Sequence, residues 1–120
     1  MSRPRILVIE DEEAVQALYA DILTEFEVVT ASTGRDALAL VELDRHFDLY
    51  IVDVGLPDAN GFDLISRIRK VDEKGKFVVG TGYPLDGLHN RISDTYPDLV
   101  FSKPFKITEF HEQVRTLVAA

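Results

Sequence analysis

The sequence predicts a doubly wound α/β fold, and three observations carry that reading. Five short apolar runs punctuate the chain: Ile6-Leu7-Val8-Ile9, Val28-Val29, Leu49-Tyr50-Ile51-Val52, Phe77-Val78-Val79 and Leu99-Val100-Phe101. None alternates with polar residues, which suits strands buried on both faces of a parallel sheet. The segments between the runs carry helical spacing, so the chain reads as βα five times, with right-handed crossovers and helices on both faces.

Taken in order, the first intervening segment places Val15, Leu18, Tyr19, Ile22, Leu23 and Phe26 on one helical stripe, with Asp11, Glu12 and Glu13 as its acidic start. The second sets Ala37, Leu38 and Val41 on one face after Ser32-Thr33-Gly34, and the third groups Leu64, Ile65, Ile68 and Val71. Leu85, Leu88 and Ile92 make a weaker pattern among Gly87, Asn90 and Ser93, which predicts a short or mobile helix. Ile107, Phe110, Val114, Leu117 and Val118 restore the pattern, and Pro104 lies just before it, where a missing N–H costs little. Asp72 to Lys76 reads as a polar connection before the fourth strand.

The length of 120 residues fits a single domain spanning 1–120. With no cysteine, disulfides, thiol catalysis and zinc-cysteine clusters are excluded. A net charge of −8 and a pI near 4.7 argue against a direct nucleic-acid partner, because there is no broad cationic surface for a phosphate backbone. The apolar stretch Ile6 to Ile9 is too short for a signal peptide or a membrane span, so a cytoplasmic protein with no membrane insertion is expected. His46, His89 and His111 lack the spacing of a metal-binding pair and read as surface or locally bonded histidines.

In open α/β sheets ligands bind beyond the carboxyl ends of the strands, where strand order reverses. There the chain carries Glu10 and Asp11 after the first run, Asp53 after the third, Thr81 after the fourth and Lys103 after the fifth. Three carboxylates against one ammonium leave a deficit of about two positive charges, which a divalent cation would neutralise. An all-oxygen ligand set favours Mg²⁺, or Mn²⁺, over zinc. Thr81 could hydrogen-bond a phosphoryl oxygen and Lys103 balance its charge, while a carboxylate can itself be the nucleophile that forms an aspartyl phosphate. Each residue alone has an ordinary reading, as a helix-start acid, a turn residue or a surface lysine; their joint placement at four strand ends is what points to a site.

These residues resemble the receiver domain of two-component response regulators, a chemotaxis-regulator-like family, across essentially the whole chain. The motifs are "ILVIEDEE" with Glu10 and Asp11, "LYIVDVGLPDANGFDLI" with Asp53, Pro57 and Gly61, "FVVGTGYP" with Thr81, and "FSKPF" with Lys103 and Pro104. The resemblance implies a flavodoxin-like five-stranded sheet of order 2-1-3-4-5. It implies that Asp53 accepts a phosphoryl group from a phosphohistidine on a sensor histidine kinase or histidine phosphotransfer protein, and that a downstream protein effector reads the result. Mg²⁺ would be held by Glu10, Asp11, Asp53 and the backbone carbonyl of Gly55, with Lys103 on the phosphoryl group and Thr81 moving toward it. Such a domain is not an ordinary enzyme, although it catalyses its own phosphorylation and slow dephosphorylation.

Val100 stands where the family usually carries an aromatic that rotates inward, and Phe101 is expected on the opposite face of its strand. Tyr83 and Gly55, each two residues beyond a site residue, hold the positions that tune water access in the family, and Tyr83 is expected to shield the phosphoryl group. The resemblance also leads to the expectation that the fourth and fifth helices and the strand between them, about Leu85 to Val118, form the output surface; the weak helical pattern from Tyr83 to Pro97 leads to the expectation that this region changes conformation on phosphorylation. The alternatives are a receiver-like interaction domain independent of phosphorylation and a phosphatase of the haloacid dehalogenase type. The latter needs a second aspartate where Gly55 stands. Gly80-Thr81-Gly82 lacks the third glycine of a dinucleotide loop.

Overall fold

The apolar runs become five parallel strands: β1 (Arg5–Ile9), β2 (Glu27–Ala31), β3 (Leu49–Asp53), β4 (Phe77–Thr81) and β5 (Leu99–Ser102). In the computed structural model, which describes residues 3–82 and 89–120, they pair in the order β2-β1-β3-β4-β5. The helices between and after them are α1 (Glu13–Ile22), α2 (Gly34–Asp44), α3 (Gly61–Arg69), α4 (His89–Thr95) and α5 (Ile107–Ala119). The reversal of strand order falls between β1 and β3, as the family resemblance implies.

Alternate residues of each strand enter different halves of the core, as the pleat requires. Leu7, Ile9, Tyr50, Val52, Phe77 and Val79 face α2 and α3, with Val100 and Ile92 of α4 packed at the margin of that cluster. Ile6, Val8, Leu49, Ile51 and Val78 face Tyr19 of α1 and Phe110 and Val114 of α5. The three central strands are buried almost throughout, which accounts for their unbroken apolar sequences.

Local chemistry fixes the helix starts. Thr33 Oγ1 accepts a hydrogen bond from the Asp36 amide at 3.0 Å, and Asn60 Oδ1 accepts one from the Phe62 amide at 2.9 Å, so both are N-caps. Asp58, from the β3–α3 connection, adds a non-local cap: its two carboxylate oxygens accept from the Gly34 and Arg35 amides at 2.8 and 3.0 Å. Those amide hydrogen bonds hold its carboxyl below the usual range. Gly61 opens α3 tightly under the end of β3, where an added Cβ would lie 2.4 Å from the Asp53 carbonyl oxygen.

One reading of the sequence changes. Leu18, placed on the buried stripe of α1, is 38% exposed, whereas Phe26, beyond the helix end, is buried. Pro104 stands just ahead of the Lys106 N-cap of α5, as expected, and its peptide bond with Lys103 is cis. The fourth helix is short as expected, but Leu85, Leu88 and Tyr83 lie outside the described residues. Asp72, read as part of a polar connection, is only 4% exposed.

Asp72 organises the amino-terminal end of the sheet. The Tyr50 hydroxyl donates to it at 2.6 Å, the Phe47 and Lys74 amides donate at 3.2 Å, and His46 Nδ1 lies 3.0 Å from both carboxylate oxygens. Burial opposes ionisation of this carboxyl, but the hydrogen bonds from Tyr50, His46 and the Phe47 amide outweigh it and hold it below its ordinary value. Removing that acceptor strands a buried hydroxyl and a buried amide, so Asp72→Ala is expected to cost about 3 kcal/mol in urea unfolding. A depressed folded value stabilises the fold above the unfolded carboxyl range and loses that contribution in acid. The gap between wild type and Asp72→Asn should therefore be widest near neutrality and narrow as the pH falls below about 4. At the opposite pole, Gly61→Ala must displace backbone, and a loss of about 1–3 kcal/mol in the same assay is expected.

Candidate functional site

At the carboxyl end of the sheet, the backbone ladder continues past the strands and fixes the loops that carry the polar residues. The Glu10 amide donates to the Ala31 carbonyl at 3.0 Å, Val54 to Gly80 at 3.2 Å, and Lys103 to Thr81 at 2.8 Å. A further bond from the Gly61 amide to the Val54 carbonyl, at 3.0 Å, closes the loop after β3. Glu10, Asp53, Thr81 and Lys103 thereby share one rim.

Each side chain has a distinct setting. Glu10 is almost wholly buried, Asp53 is half-buried, Asp11 is exposed and Thr81 is fully buried. One carboxylate oxygen from each of Glu10, Asp11 and Asp53 lies within 4.8 Å of the other two. Lys103 Nζ donates to Glu10 Oε1 at 2.6 Å and stands 3.5 Å from Asp53 Oδ1. The Glu12 amide reaches Glu10 Oε2 at 3.2 Å, and the Gly55 amide reaches Asp53 Oδ1 at 3.4 Å.

The electrostatics point one way. Burial pushes the Glu10 carboxyl up and the Asp53 charge adds to this, despite the opposing hydrogen bond from Lys103. Burial works against the Lys103 ammonium, yet its hydrogen bond to Glu10 and the charge of Asp53 hold it above its ordinary value. Burial is therefore the main reason the Glu10 carboxyl rises, with the neighbouring Asp53 charge adding to it, while the two carboxylates together favour the charged Lys103. The three carboxylates present only oxygen, a set that fits a hard divalent cation of the Mg²⁺ or Mn²⁺ kind.

Several supporting residues had weak sequence signals. Gln16 Nε2 donates to the Glu10 carbonyl and to Ser32 Oγ, at 3.0 Å for the latter, and so pins the acidic loop to the loop after β2. Only its place one turn into the first helix could have suggested this. Gly80 is required by Phe101: a Cβ at Gly80 would lie 2.7 Å from that ring. Phe101 packs among Tyr19, Phe105 and Phe110, on the opposite face from Val100, as the strand alternation predicted. An added Cβ at Gly82 would meet nothing within 4 Å among the described residues. His46 and His111 are locally bonded, to Asp72 and to Glu25, and neither joins the site.

Comparison with known proteins agrees with this geometry. The sequence profile of the response regulator receiver domain matches residues 6–115. Transcriptional regulatory protein PmrA of Pectobacterium parmentieri is 33% identical over 118 residues, covering 95% of this chain and 52% of that protein. Sporulation initiation phosphotransferase F of Bacillus subtilis is 24% identical over 117 residues, covering 96% of this chain and 94% of that protein. The chain thus spans about half the length of the first relative and nearly all of the second. A CheY-like response regulator receiver domain protein from Methanospirillum hungatei superposes with a TM-score of 0.90 at 27% identity, covering 98% of this chain and 95% of that one. With its strand order and acidic rim, this chain belongs to the response regulator receiver domain family of two-component signalling.

Proposed function

We propose that residues 1–120 act as one phosphoacceptor unit in a two-component phosphorelay, with Asp53 as the acceptor. The observation that carries this reading is the cluster of Glu10, Asp11 and Asp53 with Lys103 reaching into it. Family membership implies a sensor kinase or phosphotransfer protein upstream and an effector downstream. A carboxylate oxygen of Asp53 attacks the phosphorus of a phosphohistidine. The new P–O bond forms as the P–N bond breaks, and the imidazole leaves with that electron pair and takes a proton from solvent.

The chain's own residues provide position and charge. Glu10, Asp11, Asp53 and the Gly55 carbonyl would hold Mg²⁺ or Mn²⁺, which supplies the positive charge that an incoming phosphoryl group requires. Lys103, already drawn toward Asp53, would pair with a phosphoryl oxygen, and the buried Thr81 hydroxyl would donate to another. The same groups would support slow self-catalysed dephosphorylation; receiver domains are generally not enzymes in the ordinary sense. Shielding by Tyr83 belongs to this reading too, although that residue lies outside the described region.

Incubation with Mg²⁺ and acetyl phosphate should add one phosphoryl group to the intact mass of wild type and none to Asp53→Asn. No gain in wild type, with a cognate phosphodonor also failing, would favour the phosphorylation-independent interaction domain. Lys103→Met leaves the buried Glu10 carboxylate without its cation. In metal-free buffer it should lower the unfolding free energy by about 3 kcal/mol, and in Mg²⁺ and acetyl phosphate it should slow phosphorylation at least tenfold.

A further inference from the structure

On the far side of the sheet from α1 and α5, helices α2 and α3 border a groove of about 590 Å³. Its floor and walls include Leu38, Ala39, Leu64 and Val71. Three cations, Arg35, Arg67 and Lys70, stand on its rim, all exposed. The two acids there are unequal in availability, because Asp58 already accepts the Gly34 and Arg35 amides, which leaves Glu42 as the one uncommitted carboxylate of the lining. Arg67 and Lys70 form no ion pair among the described residues. Three cations against two ionised acids leave this lining net positive in a chain of net charge −8. Leu43, four residues beyond Ala39 on α2, is 79% exposed and extends the apolar strip along the same helix.

We infer that the α2–α3 groove is a docking surface for an acidic amphipathic helix of a partner protein. The apolar trough would take the partner's leucine-type side chains at helical spacing, and its flanking carboxylates would pair with Arg35, Arg67 and Lys70. A bare phosphate or a nucleic-acid backbone would use the cations but leave the apolar trough uncovered, so a helix satisfies more of what the surface offers. The groove shares no lining residue with the Glu10, Asp11 and Asp53 cluster, and the inference does not depend on phosphorylation of Asp53.

Selection on the unphosphorylated full chain tests this, using a displayed library of amphipathic helices of about 18 residues whose polar positions are free to be Glu, Lys or Ser. Acidic members should be enriched. Amide shifts of the labelled protein on adding a selected peptide should cluster at Leu38, Ala39, Arg67 and Lys70, and the affinity should weaken as salt rises. The double variants Arg67→Glu/Lys70→Glu and Arg67→Ser/Lys70→Ser should each bind at least tenfold more weakly while their amide spectra retain native dispersion. No enrichment, enrichment without a preference for Glu, shifts centred on α4, β5 or α5, or unchanged affinity in the serine pair would overturn the inference. So would a duplex oligonucleotide that produces the same shifts with equal affinity.

Discussion

A lysine that follows the last strand meets a glutamate that follows the first, across 93 positions of sequence. With β3 and β4 between them, their strands stand about 14 Å apart in the sheet, so both side chains must lean inward over the rim. Neither has much water to turn to: Glu10 is buried and Lys103 mostly so. Their contact therefore constrains the ends of all three central strands and β5 together, and Asp53 sits within that bracket. The pair is incomplete compensation, since Lys103 must answer Asp53 as well as Glu10. The fold thus holds an uncompensated carboxylate in a fixed place, which is the condition for binding a cation and then an anion in succession.

The opposite pole shows the same residue types resolved differently. Asp72 is also a buried carboxylate, but it is surrounded by donors from Tyr50, His46 and two backbone amides. Its hydrogen-bonding capacity is spent, and its carboxyl value falls while that of Glu10 rises. One end of the sheet is therefore saturated and the other left wanting. Arg5 reinforces the saturated end, bridging Glu27 and Asp44 and lying 4.5 Å above the Phe47 ring. A parallel sheet with this asymmetry can keep its stability at one end and its chemistry at the other.

Strand placement and the acidic rim were legible in the sequence because both depend on short-range pattern. Continuous apolar runs can be buried on two faces only in a covered sheet, and the residue after each run must lie at its carboxyl end. The connection before β4 was legible, but the burial of Asp72 within it was not: its donors come from positions 46, 47 and 50, which no local window contains. Leu18 fits helical spacing yet is 38% exposed, since spacing gives a direction around the helix but not how wide a stripe the core covers. Gln16 and Gly80 were invisible as supports for the same reason: their partners, Ser32 and Phe101, are distant in sequence.

Asp58 has a consequence for how this chain can vary. By holding the first two amides of α2, it joins the loop after β3 to the loop after β2, and Gly34 packs against Ala59 so closely that a Cβ there would approach it to 3.1 Å. An insertion that displaces Asp58 or the Gly34-Arg35 amides would break this cap and open the seam beside it. Connections on a protein surface are ordinarily where insertions accumulate; here the rim next to Asp53 is denied that freedom by a single side chain.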